Sequence, residues 1–325
     1  VDINFSAQEN SFYMSGVIDF THSDFNIVPY SAFFGAVSNS EPLKITFDMA
    51  GMRIDSDTEE VQEEVQEEVQ EEVQEDFTFS GPYDVAFLES YVSVTNCNMN
   101  YFTYSPVGVQ NPPIVVLGHG FARGSETMVG WAEHLSSWGV EVLLPTLCHY
   151  NVFWGVDHEL NGQNMVELGQ YHGAEEVMYV GHSAGGLAAI IAASLDESAL
   201  GVLGLDATDT EGVFGIADFI GQQYAADVSS SAFSIRGEPS SCNSEGNGLD
   251  LFEMMGNAYK VKVSEADHCD FEYPTNSGCE LNCENSNATR SDIEIRSEIV
   301  VLGTSAVLSL TGLSDSGWVF WLGTN

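Results

Sequence analysis

The sequence predicts an α/β protein: a mostly parallel central sheet flanked by helices, preceded by a small β-rich segment. Three observations carry this. Short apolar runs, among them Pro113-Ile114-Val115-Val116-Leu117-Gly118 and Val177-Met178-Tyr179-Val180, have the length and content of strands buried on both faces. Runs with helical spacing, 128–138 and 184–195, fall after them. Strand then alternates with helix from about residue 81 to the end, the order of a parallel sheet covered on both sides.

Taken in order, residues 1–57 alternate apolar and polar positions, as in Phe12-Tyr13-Met14-Ser15-Gly16-Val17-Ile18-Asp19-Phe20 and Leu43-Lys44-Ile45-Thr46-Phe47-Asp48. These read as strands between Asn/Ser/Gly turns. Residues 58–80 are a linker built on a Val-Gln-Glu-Glu repeat from Val61. Its valines recur every four residues, out of step with a helical stripe, and its glutamates repel. A solvated spacer is the expectation. Calcium binding would require a glycine turn and mixed oxygen ligands, which the repeat lacks.

Residues 81–325 form the expected main domain. Strands are expected at 113–118, 140–144, 177–180, 200–205, 232–235 and 259–263. Helices are expected at 128–138, 160–169, 184–195 and 291–311.

Composition narrows the function. With 49 acidic residues against 8 basic, the net charge is −41. Nucleic acid is excluded as a partner, because nothing neutralises its phosphates. Neutral substrates are expected. No apolar stretch is long enough to span a membrane. The six cysteines, Cys97, Cys148, Cys242, Cys269, Cys279 and Cys283, fit disulfides and a secreted or extracytoplasmic location. No Cys-x-x-Cys pair exists, so no metal site is expected, and no cofactor is needed.

The chemistry is read from Gly181-His182-Ser183-Ala184-Gly185, a G-x-S-x-G turn between an apolar strand and an alanine-rich helix. Small residues are required there because the serine sits on a sharp, strained turn. Ser183 is the expected nucleophile for a carboxylic ester. The backbone N–H groups of Phe121, in His119-Gly120-Phe121, and of Ala184 are the expected oxyanion donors. His119 itself is expected to orient or pack. His268 is the expected base, since it alone follows the late core strands; His149, His158 and His172 precede Ser183, and His149 and His158 are candidates to line the cleft. Asp206, directly after the strand ending at Leu205, is the expected acid, with Glu238 after the next strand as the alternative. A different reading makes the chain a non-catalytic binding protein whose working part is its N-terminal β segment.

Ser183 with Asp206, Cys242-Asn243 with Asn247, and His268 with Asp270 resemble the chlorophyllase branch of the α/β-hydrolases. Gly120-Phe121 after a strand, followed by the Ser183 elbow, also resembles the cutinase and poly(ethylene terephthalate) hydrolase branch. The resemblance covers roughly 81–325. It implies an α/β-hydrolase fold and a Ser-His-Asp serine esterase. Its implied substrates are neutral and apolar: short acyl esters, lipids or polyesters, or a chlorophyllase-like ester. In the second branch a disulfide joins the acid loop to the histidine loop, and Cys242 with Cys269 are placed for it. Ala184 stands where polyester hydrolases commonly carry Met and chlorophyllases Arg, which leaves a more open site.

Overall fold

The computed structural model describes residues 2–7, 11–20, 31–32, 37–38, 43–52, 75–151, 155–210 and 219–321. The chain divides into two compact units, 1–71 and 72–325. In the first, β1 (Asp2–Ala7), β2 (Ser11–Phe20) and β5 (Leu43–Met52) form an antiparallel sheet in the order β1-β2-β5, and β3 (Ser31–Ala32) pairs with β4 (Val37–Ser38). The strands expected near 12–20 and 43–48 are present. The acidic repeat lies outside the described residues as far as residue 74.

The second unit is built on an eight-stranded sheet. Its strands are β6 (Val85–Val94), β7 (Cys97–Pro106), β8 (Ile114–Gly118), β9 (Glu141–Pro145), β12 (Val177–His182), β13 (Ala199–Leu205), β14 (Ser231–Arg236) and β15 (Ala258–Lys262). A two-stranded ribbon, β10 (Tyr150–Asn151) and β11 (Gly155–Val156), stands apart from it. The sheet order is β15-β14-β13-β12-β8-β9-β7-β6. All pairings from β15 to β9 are parallel, and the β6–β7 hairpin closes one edge in antiparallel pairing.

Among the described residues seven α-helices accompany the sheet: α1 (Val129–Ser137), α2 (His158–Tyr171), α3 (Ala184–Leu195), α4 (Gly221–Ala225), α5 (Gly248–Met254), α6 (Ser277–Cys283) and α7 (Asp292–Leu310). Successive side chains of a strand point to opposite faces, so the apolar runs feed two cores. Val115, Leu117, Val180 and Leu203 pack with Trp131 of α1 and Ile299 and Val307 of α7. Val116, Tyr179 and Val202 pack with Met165 of α2, Leu187 and Ile191 of α3 and Phe252 of α5. This is the expected α/β-hydrolase architecture.

Helix starts carry local signals. Asp157 accepts from the N–H of Leu160, and Ser291 with Glu294 forms a capping box at α7. Each such cap is worth about 1 kcal/mol. Phe77 is fully buried and meets Trp138 edge-on, while Glu75 accepts from the hydroxyls of Ser314 and Ser316. The chain therefore joins the second unit before β6 begins.

Three disulfides lie in this unit: Cys97–Cys148, Cys242–Cys283 and Cys269–Cys279. They correct the Cys242–Cys269 bond implied by resemblance. The reason is α6, which carries Cys279 and Cys283 and takes one bond from each loop. The two loops are thus tied to a shared helix rather than to each other.

Candidate active site

The carboxyl ends of β8, β12, β13, β14 and β15 lie along one edge of the parallel sheet, where this architecture places its ligands. Each expected residue follows one of them. Gly120 and Phe121 come after β8, Ser183 after β12, Asp206 after β13, Glu238 after β14 and His268 after β15.

Ser183 sits between β12 and α3 at φ 56°, ψ −125°. A non-glycine residue there is strained. The turn holds because Gly181 and Gly185, two residues to either side, have no side chains. A Cβ on Gly181 would lie 2.1 Å from the carbonyl oxygen of Gly185, and one on Gly185 would lie 2.4 Å from that of His119. The Ser183 N–H donates to the Leu205 oxygen, and its own carbonyl accepts from Gly186 and Thr208. The elbow is thereby tied to the Asp206 strand.

Nδ1–H of His268 donates to Oδ2 of Asp206 at 2.6 Å, and both residues are buried. Asp206 also accepts from the N–H of Gly237 at 3.0 Å and from the Asn243 amide at 3.1 Å. Asn243 is fully buried. Its Nδ2 donates to the Glu238 carbonyl as well, while its Oδ1 accepts from the N–H groups of Ser240 and Gly246. The carboxylate is therefore held on three sides. Glu238 is elsewhere engaged: its carboxylate pairs with Lys262 at 2.9 Å near the surface, and that hydrogen bond lowers its pKa.

Two further histidines are buried here. His119 donates from Nδ1 to the Gly120 oxygen at 2.8 Å and accepts at Nε2 from Leu147 N–H at 3.0 Å. Burial pushes its pKa down to about 4, so it is neutral at pH 7. His182 donates from Nε2 to the His268 carbonyl oxygen at 3.0 Å. Burial, reinforced by the neighbouring His268, keeps it well below the usual histidine range.

Phe121, Ser183 and His268 line one cavity of about 410 Å³, with Thr208, Arg123 and Glu272. Ala184 stands at the first position of α3, where a helix leaves its N–H without an intrahelical acceptor. Neither His149 nor His158 lines this cavity. The pairing of Arg123 with Glu272 was not read from the sequence. The available signal was an arginine two residues past Phe121 in a chain with only 8 basic residues.

Sheet order, two-sided helical cover and the strained serine elbow define an α/β-hydrolase fold. No protein-family model matches the chain, and no curated protein does. Among solved structures, Est1E from Butyrivibrio proteoclasticus is similar with a TM-score of 0.51 and 14% identity. The similarity covers 69% of this chain and 99% of that one. At this identity what is shared is the fold.

Proposed function

We propose that the chain hydrolyses neutral carboxylic esters through Ser183, His268 and Asp206. The observation that carries this is the buried 2.6 Å bond to Asp206 from His268, which lines the same cavity as the strained Ser183.

In this reading His268 takes the proton of Ser183 Oγ through Nε2 as that oxygen attacks the ester carbonyl. Asp206 fixes the tautomer that leaves Nε2 free and stabilises the imidazolium. The N–H groups of Phe121 and Ala184 stabilise the tetrahedral oxyanion, each worth roughly 3–4 kcal/mol. His268 returns the proton to the departing alcohol, then activates water to release the acid from the acyl-enzyme. The chain's own groups supply each proton transfer, and no cofactor takes part.

The cavity of about 410 Å³ lies within the roughly 300–1,000 Å³ of ligand sites, and short acyl esters are the first substrates to test. Polyester chain ends and chlorophyllase-like esters are the other substrates to compare. Three disulfides support an extracytoplasmic setting. The test is a series of p-nitrophenyl esters of rising acyl length, beside a polyester film, with the parent and Ser183→Ala. Turnover by the parent, highest on acetate or butyrate and lost in Ser183→Ala, is expected. Equal turnover by both proteins would refute the reading.

A further inference from the structure

The turn that follows β8 and the loop that follows β15 are joined by an ion pair between residues 149 apart in sequence. Arg123 donates from Nε to Oε1 of Glu272 at 2.6 Å and from Nη2 to Oε2 at 2.5 Å. The Glu272 side chain is wholly buried, and Arg123 is 19% exposed. Such a fork fixes direction as well as distance, which a lysine cannot do.

What this pair holds is the turn bearing Phe121. The Arg123 N–H donates to the Gly120 oxygen at 3.3 Å, closing a turn in which Ala122 has φ 55°. A Cβ on Gly120 would lie 3.3 Å from Ser183 Cβ and 3.5 Å from Arg123 Cγ. The stem of the arginine and the serine thus flank the same glycine.

Stability alone does not call for this pair. The same two regions are already joined by Trp131 Nε1–H donating to the Phe271 oxygen at 2.9 Å, by Tyr273 N–H to Thr127 and by Gly130 N–H to Tyr273. Those bonds act on α1 and its approach, not on the Phe121 turn. Buried ion pairs can also be replaced by apolar residues with little loss of stability, or with a gain.

We propose that Arg123 and Glu272 are positioning residues, a latch that aims the Phe121 amide at the Ser183 oxyanion position. The proposal rests on the ester-hydrolase reading above. Arg123→Lys keeps one charge but loses the fork. The double variant Arg123→Met with Glu272→Met removes the latch without leaving a buried charge behind.

In the full chain, kcat and KM on p-nitrophenyl butyrate, the melting midpoint and the affinity for phenylboronic acid are measured for the parent and both variants. Phenylboronic acid adds to a serine oxygen as a tetrahedral anion and so reads the oxyanion donors directly. The double variant should lose about 10²-fold in kcat, the scale of a misplaced catalytic group, with KM little changed. Boronate affinity should weaken in parallel while the melting midpoint stays at or above that of the parent. Arg123→Lys should fall between. A folded double variant with the parent's kcat and boronate affinity would overturn the latch. So would a raised KM at constant kcat, which would make Arg123 a substrate contact. A parent inactive on every ester would instead remove the underlying reading.

Discussion

Asp206 and Glu238 follow adjacent strands, yet their surroundings differ in kind. Asp206 is buried and accepts from an imidazole, an amide and a backbone N–H, whereas Glu238 faces Lys262 near solvent. Asp206→Asn should therefore lower kcat by roughly 10⁴-fold, the size of a lost histidine tautomer in a serine hydrolase. Glu238→Gln should change it by no more than a few-fold, since exposed ion pairs contribute about 0–1 kcal/mol. Steady-state kinetics on p-nitrophenyl butyrate decide, and the reverse order would move the acid to Glu238. A second residue-scale prediction concerns stability. Burial raises the pKa of Asp270 from 3.8 to about 6. The folded chain therefore keeps this proton at a pH where the unfolded chain has lost it. Its stabilising contribution is full below pH 3.8, declines as pH rises to about 6 and is absent above. Asp270→Asn mimics the protonated form. Its stability relative to the parent should grow between pH 4 and pH 7 in urea titrations. A difference independent of pH would count against the assignment.

At the scale of elements, the serine elbow depends on how closely α3 approaches the end of β8. A methyl at Gly185 would lie 2.4 Å from the His119 oxygen and 2.6 Å from that of Gly118. Both are backbone atoms of the strand end and turn that lead to Phe121, so they cannot move without moving the proposed oxyanion donor. Gly185→Ala should cost roughly 1–3 kcal/mol, as overpacking does, and should lower kcat beyond any loss of folded protein. Thermal melting beside active-site titration separates the two effects. α6 acts as a second organiser. Its Cys279 and Cys283 anchor the His268 loop and the Asn243 loop respectively. The segments that carry the proposed base and that brace the proposed acid therefore share one support.

For the whole molecule, charge and modularity set the expectations. A net charge of −41 repels itself in the compact state. Salt shortens the Debye length from about 30 Å at 0.01 M to about 3 Å at 1 M, so the melting midpoint should rise with sodium chloride over that range. A flat or falling midpoint would show that the acidic surface is not a stability cost. All six cysteines lie within 72–325, and the two compact units divide at residue 71. A chain lacking 1–71 should keep the proposed ester turnover and the parent's melting midpoint. Binding to a partner that survives Ser183→Ala but is lost on this deletion would instead favour the N-terminal unit as the working part.

Much of the fold was legible because buried parallel strands are apolar throughout. β8, β12 and β13 stand out for that reason, and the Ala-rich run after Ser183 could only be a buried helix. The β6–β7 hairpin was not read, since an edge strand exposing Phe87, Leu88 and Tyr91 beside Glu89 and Ser90 has no clean alternation. The short helices α4, α5 and α6 were missed because five to seven residues carry too little periodicity to detect.

By itself the sequence determined the α/β class, the serine elbow and the order in which candidate groups follow their strands, because these are properties of local pattern. Only the tertiary structure decided which carboxylate meets His268, which cysteines pair and that Arg123 reaches Glu272. Those are contacts between residues 10 to 149 apart, and sheet order and loop packing, not spacing along the chain, bring them together.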